Sequence, residues 1–396
     1  MTMNNFNKFS SGIIILFIMI FSLSNCGQNT TATQDKKTVE KDTLISKDTI
    51  AIDSNLTRLS NLMAGMDTSL NYKHQNWSLD SIKLFSKESS AKYLPMLNTR
   101  LVKINEWNKK NLKESGVPDT SFAFYPFSGG DFIHLNWLLP NAKEYLMVAR
   151  ENVGSIPNLM EMDNKALIKY LKGINIVLRD IYNKSYFITK NMITDINNAN
   201  HVNGMLPVIL WAAAKTNHEI KSVTFFDIDS TGNTITQTDH KSDGVRIVLK
   251  DKLKKQIKTL TYLSVDISNS GFKTKPGVLT YLEKHVPTTS NSFVKSASYL
   301  LHYTTFSDIR NIIIKKSNSL IQDDTGIPYK YFDNKVWNVK LFGEYEMPVS
   351  DFSTNLFQKD LNLAYSDSTI YAGKLGFSLG YHWGSGNQNQ MFSFKK

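Results

Sequence analysis

A chain of 396 residues with a formal charge of +11 can bury a sizeable core and is expected to form two lobes rather than one. Its single cysteine, Cys26, excludes a disulfide within the chain and any thiolate metal site. The lysines are spread along the chain without a sustained basic block, so the charge describes a solvated surface that leans towards anionic partners, lipid headgroups and cell-wall polymers among them.

The amino terminus carries Lys8 and then an apolar run over residues 13–21, too short for a comfortable membrane span and right for the core of a signal peptide. The run ends in Leu23-Ser24-Asn25-Cys26, which resembles the bacterial lipobox. That resemblance implies a signal peptide over residues 1–25, a lipid on Cys26 and attachment to a membrane through that lipid. Gly27 in place of an aspartate implies the outer membrane. An exported protein leaves no role for nucleic acid. Residues 26–55, rich in Thr, Lys and Asp and poor in large apolar groups, are expected to be a tether.

Residues 56–215 are expected to form a helical lobe around a βαβ unit. Helices are predicted over residues 56–66 and 78–112, the second broken near Pro95. The βαβ unit follows. Residues 122–127 form an aromatic strand, Ser128-Gly129-Gly130 a turn, Asp131 the cap of a short helix over residues 132–139, and residues 145–149 a strand apolar at successive positions. Such a strand is covered on both faces, so the sheet carries helices on both sides. Leu167, Leu171, Ile174, Leu178 and Ile181 then repeat at helical spacing, a core stripe rather than a cofactor box. A further helix is expected over residues 203–215.

Residues 216–396 read as a more β-rich lobe. Strands are expected over residues 222–228, 245–249, 260–267, 337–346 and 375–383, with a helix over 276–285. Residues 299–321 echo the βαβ unit as strand, helix and strand. The fold class is therefore α/β, a mixed sheet covered by helices.

Candidate chemistry is sparse. Asp131 and His134 lie three apart on the short helix and could form an acid-oriented imidazole for hydrolysis, with Asp323 or Asp324 adding a carboxylate. The competing account is that Asp131 only caps the helix, and no GxSxG elbow supplies a nucleophile. Neither GxGxxG nor a P-loop is present, and the histidines lack metal-ligand spacing, so no cofactor and no metal are expected. The C-terminal third places Trp337, Tyr345, Tyr381 and Trp383 beside the amides Asn387 and Gln388, the groups with which a glycan site stacks and hydrogen-bonds. Their alternation fits a sheet packed on a core equally well.

Four segments carry a resemblance: FYPFSGGDFIHLNWLLPNAKEYLMVAREN, NSFVKSASYLLHYTTFSDIRNIIIKKS, LIQDDTGIPYKYFDNKVWNVKLFGEYEMPV and LGFSLGYHW. Together they look like a group of bacterial exported lipoproteins of Bacteroidetes type whose activity is unknown. The resemblance implies class and location and assigns no site residue. A lipid-anchored envelope protein is expected on this basis, a binding or envelope-maintenance component with a cell-wall or glycan ligand. A periplasmic hydrolase and a structural subunit with an envelope protein partner are the alternatives.

Overall fold

The computed structural model describes residues 50–67, 77–118, 122–186, 202–237, 241–295, 298–349, 356–382 and 388–396. The segment expected to be a signal peptide, Cys26, most of the expected tether, Trp383 and Asn387 lie outside the described residues.

The strands are β1 (Phe122–Pro126), β2 (Glu144–Ala149), β3 (His218–Ile228), β4 (Thr234–Gln237), β5 (Gly244–Asp251), β6 (Ile257–Ser264), β7 (Ser290–Val294), β8 (Ser317–Gln322), β9 (Trp337–Gly343), β10 (Tyr371–Gly373) and β11 (Asn389–Lys395). They form one mixed sheet in the order β10-β9-β11-β8-β7-β1-β2-β6-β5-β3-β4. The five central strands, β8 to β6 in that order, are parallel; β11 runs antiparallel between β8 and β9, and β5, β3 and β4 extend the other edge antiparallel.

Helices cover both faces. One layer holds α1 (Ser54–Met63), α2 (Leu79–Met96), α3 (Val102–Ser115), α4 (Phe132–Leu138), α5 (Asn164–Val177), α6 (Arg179–Lys184) and α7 (Leu206–Lys215), packed on Tyr125, Tyr145, Met147 and Leu260. The other holds α8 (Asn269–Thr274), α9 (Pro276–His285) and α10 (Ser307–Lys316), packed on Phe124, Leu146, Val148 and Leu320, with α11 (Lys359–Tyr365) beside Leu341 and Met391. Alternate residues of β1 and β2 thus enter opposite cores, as strands buried on both faces require. The α/β expectation holds.

The βαβ unit forms as the sequence implies: β1 and β2 pair in parallel from Phe122 with Glu144 to Pro126 with Val148, joined through α4. The helical stripe is buried from Leu167 to Ile181, although the helix breaks at Leu178 into α5 and α6. Three expectations change. The lobes placed at 56–215 and 216–396 share one sheet, because β7 pairs with one edge of β1 and β6 with the free edge of β2. The second βαβ unit exists, but its first strand is β7; residues 298–302 form a 3-10 turn instead. No strand runs over 375–382, since Gly380 adopts a left-handed φ of 59° and residues 380–382 make a 3-10 turn.

Candidate functional site

From β1 the chain passes through α4 on one face to β2 and on to β6; from β6 it passes through α8 and α9 on the other face to β7. The connections therefore leave β1 in opposite directions and open a crevice beyond the carboxyl ends of the strands, where doubly wound sheets bind ligands. A cavity of about 400 Å³ lies there. It is lined by Phe127, Ser128 and Gly129 after β1, Arg150 and Glu151 after β2, Asp266 and Ser268 after β6, and Leu300 and Phe306 beyond β7. That volume suits a small molecule.

The turn after β1 is tight because Phe127 and Gly129 both take left-handed φ values, 60° and 53°. Phe127 is the costly one, since its Cβ opposes that geometry. Its ring meets Phe306 at a centroid distance of 6.0 Å, forming an aromatic wall. Gly130 leaves room for α7: a Cβ there would stand 2.9 Å from Val208 Cγ1. The Ser128 hydroxyl donates to the Gly129 carbonyl at 2.9 Å, so it is occupied by the backbone and is not poised as a nucleophile.

Glu151, Asp266 and the buried Asp131 are the acids that line the cleft. Tyr262 donates its hydroxyl to the Glu151 carbonyl at 2.6 Å, fixing the chain as it leaves β2. Asp266 Oδ1 accepts from the Ser268 amide at 2.9 Å. Burial pushes the Asp266 carboxyl up, but the Ser268 bonds and Arg150 hold it below the ordinary carboxylate value, so it is ionised at neutral pH.

At the floor of the cleft Asp131, buried but part of its lining, collects donors. Its Oδ2 accepts from Lys295 Nζ at 2.6 Å and from the Tyr125 hydroxyl at 3.2 Å; its Oδ1 accepts from the His134 amide at 3.3 Å and lies 2.7 Å from His134 Nδ1. Lys295 also donates to the Ser185 carbonyl. Burial would raise the Asp131 carboxyl, but His134 and Lys295 outweigh it and hold it below the usual range. Burial lowers His134 to about 4 against the pull of Asp131, so the imidazole is neutral at physiological pH. The two residues meet as the sequence implies. His134, however, is fully buried, does not line the cavity, and leaves Nε2 without a hydrogen-bond partner among the described residues. A general base must reach its substrate, so the hydrolytic dyad has no support in this geometry and Asp131 serves as helix cap and ion-pair partner.

Asp323 and Asp324 follow β8 and are also buried. Asp324 binds His382, Asn389 and the Tyr299 hydroxyl. Burial lowers His382, but its bond to Asp324 and that charge raise it on balance. Asp323 accepts from the Thr325 amide at 2.9 Å, while burial and the Asp324 charge push its carboxyl up to about 6. These side chains knot β8 to β11 and to the 380–382 turn and do not line the cleft.

The aromatic C-terminal surface is corrected. Trp337 and Tyr345 are 4% and 3% exposed. Trp337 packs edge-on to Phe332 at 5.4 Å and Tyr345 stacks on Phe357 at 6.0 Å, so neither offers a ring face to a glycan. Tyr381 is half-buried against Tyr186 at 4.8 Å, and Gln388 donates to Ser378. The alternation reflected core packing, because β9 and β11 lie inside the sheet and not on a free edge.

Glu151, Asp266, Phe306 and Lys295 were missed from the sequence. Glu151, Asp266 and Lys295 share a signal of position, each following a strand closely at its carboxyl end; Phe306 lies further on, at the end of the second of two 3-10 segments after β7, and carries no such signal. A scan against protein-family models matches no family, and a search of curated proteins returns no relative.

Proposed function

We propose that the protein binds a ligand bearing a cis-diol and a flat ring, a nucleoside, in the cleft between β1, β2 and β6. The observation that carries this is the place of Glu151. It lies just past the second strand of a doubly wound unit, roughly twenty residues after the turn glycine, where an acidic side chain hydrogen-bonds ribose hydroxyls. Asp266 and Ser268 supply acceptors and donors for a base edge, and Phe127 with Phe306 supplies ring faces.

Topology supports the same class. Numbered in chain order, the strands from β6 across to β9 run 3-2-1-4-5-7-6, with the seventh alone antiparallel. Without that inserted strand the order is that of the doubly wound nucleotide-binding sheets. With it, the order is shared by methyltransferases that use S-adenosylmethionine, a nucleoside with a cationic sulfonium. The likeness is one of topology and carries a ligand class, not a reaction.

The site discriminates among nucleosides. In dinucleotide sites the pyrophosphate sits at the helix N-terminus after the first strand. Here the Asp131 carboxylate caps that helix and Glu151 and Asp266 line the cleft, so a phosphate would meet negative charge. The favoured ligand is a nucleoside with a neutral or cationic substituent.

We place the protein at the cell envelope, anchored through Cys26, on the strength of the apolar run over residues 13–21 and the lipobox-like segment. An anchored protein there meets ligands outside the cytoplasm. A saccharide shares the diol chemistry and is the second reading, now at this cleft rather than at the C-terminal rings.

Isothermal titration of the full chain with adenosine, S-adenosylmethionine, NAD and cell-wall disaccharides tests this. Saturable binding of the first two, weakened roughly 10- to 100-fold by Glu151→Gln, is expected. Binding of disaccharide alone would transfer the cleft to the saccharide reading, and NAD as the tightest ligand would overturn the exclusion of phosphate.

A further inference from the structure

The hairpin that joins β5 to β6 displays an apolar side chain within a ring of lysines. Leu253 is 77% exposed, more than any other large apolar residue among those described. Lys250, Lys252, Lys254 and Lys255 surround it in sequence, and Lys254 and Lys255 are exposed. The one acid of the tip, Asp251, is turned inward. Its Oδ1 accepts from the Leu253 and Lys254 amides at 2.9 and 3.0 Å, and its Oδ2 lies 3.5 Å from the buried Lys258 ammonium. Glu219 faces Lys250 across the ladder and offsets one charge. The tip is held in place as well: the Asp251 amide donates to the Gln256 carbonyl and the Lys252 amide to the Asn217 carbonyl, both at 2.9 Å, and Lys255 turns the chain with a φ of 58°.

A second feature lies beside it. The Asp53 amide donates to the Ile220 carbonyl at 2.9 Å, and Ile220 pairs with Leu249, two residues before Asp251. The preceding Ile52 is 37% exposed. Residues 50–53 therefore meet the fold on the ladder that carries the basic tip.

We propose that this tip is a membrane-contacting surface, Leu253 entering the headgroup region of a bilayer while Lys252 and Lys255 meet anionic lipid; the Lys254 ammonium is held by the Pro140 carbonyl and Asn141. A lysine-rimmed apolar residue has the chemistry of interfacial attachment, each lysine adding to the attraction and salt weakening it. The tip precedes β6, at the amino end of the parallel strands, and the cleft lies beyond their carboxyl ends. Seated in this way, the protein turns its cleft away from the membrane. The surface does not depend on the identity of the cleft's ligand.

Co-sedimentation of the full chain with phosphatidylcholine vesicles, with and without phosphatidylglycerol, tests it. The comparison is between the parent and Lys252→Glu/Lys255→Glu, with Leu253→Ser as a second variant; the apolar run over residues 13–21 is common to all three and cancels. Expected are tighter, salt-sensitive binding to the anionic vesicles, at least about tenfold weaker in the double variant and severalfold weaker in Leu253→Ser, with unchanged urea midpoints. Equal binding of parent and variants to anionic vesicles overturns the proposal. So does parent binding that ignores phosphatidylglycerol, or a tip that captures only acidic protein.

Discussion

Lys295 Nζ and Asp131 Oδ2 stand 2.6 Å apart, with both side chains at most 2% exposed, at the carboxyl ends of the neighbouring strands β7 and β1. The pair ties together the two strands from which the connections diverge, at the floor of the cleft. Removing one partner of such a pair strands the other charge away from water. Lys295→Met should therefore cost roughly 3–5 kcal/mol. Lys295→Met/Asp131→Leu should recover part of that, though not all, because Asp131 also caps α4 and holds His134. Urea titration of the two variants checks this; a double variant less stable than the single by the full cost of a second buried charge would refute it.

Two buried groups give stability opposite slopes against pH. His134 has its pKa lowered to about 4, so the unfolded chain takes up the proton first; stability is present above about 6.5 and is lost as pH falls towards 4. Asp323 has its pKa raised to about 6, so stability is fullest below its ordinary value and is lost as pH rises through 6. Between pH 4.5 and 7 the two offset. Relative to the parent, Asp323→Asn should make stability fall more steeply on acidification and His134→Gln less steeply, with His218, lowered to about 3 by burial, adding the same slope to all three proteins. Asp131, held below the usual range, changes stability only at lower pH. Unfolding free energies of both variants across this window decide the matter, and parallel profiles would show the assignments to be wrong.

Trp337 separates a core residue from a binding residue. It is buried against Phe332, with the Lys395 ammonium 5.5 Å above its ring. Trp337→Ala should cost roughly 3–5 kcal/mol. A variant with wild-type stability and weakened saccharide binding would restore the ring-face site.

The sequence made the centre of the fold legible because its signals there are local. An aromatic run, a glycine turn, a capping aspartate and a second apolar run suffice to read β1, α4 and β2. The sheet order was not legible, because β7, β8 and β11 reach β1 through pairings between residues far apart in the chain. Alternation at Phe377, Leu379 and Tyr381 suggested a strand, but Gly380 turns the chain there, pressed against Asp323 Oδ2. Asp131 was legible as a cap. Its partner Lys295 was not, since nothing local distinguishes a lysine that ends a buried strand from one that solvates a surface.

The last prediction concerns two glycines with the same left-handed backbone and different surroundings. Gly154 and Gly204 have φ values of 79° and 72°, and their backbones cross where the chain leaving β2 meets the entry to α7. A Cβ on Gly154 would lie 1.8 Å from the Asn203 carbonyl oxygen, which is backbone and cannot rotate away. Gly116, with φ at 71°, ends α3 and has nothing within 4 Å of an added Cβ. Alanine at Gly116 meets only the backbone preference, about 1 kcal/mol. Alanine at Gly154 must push the two segments apart, and the displaced segment begins three residues after Glu151. Gly154→Ala should therefore lower stability by several times the Gly116→Ala cost. It should also weaken nucleoside binding, whereas Gly116→Ala should leave binding intact. Thermal unfolding and titration of the two variants measure both effects. Equal stability losses would mean that the crossing yields more readily than its backbone contacts allow, and unchanged binding in a folded Gly154→Ala protein would detach Glu151 from the ligand.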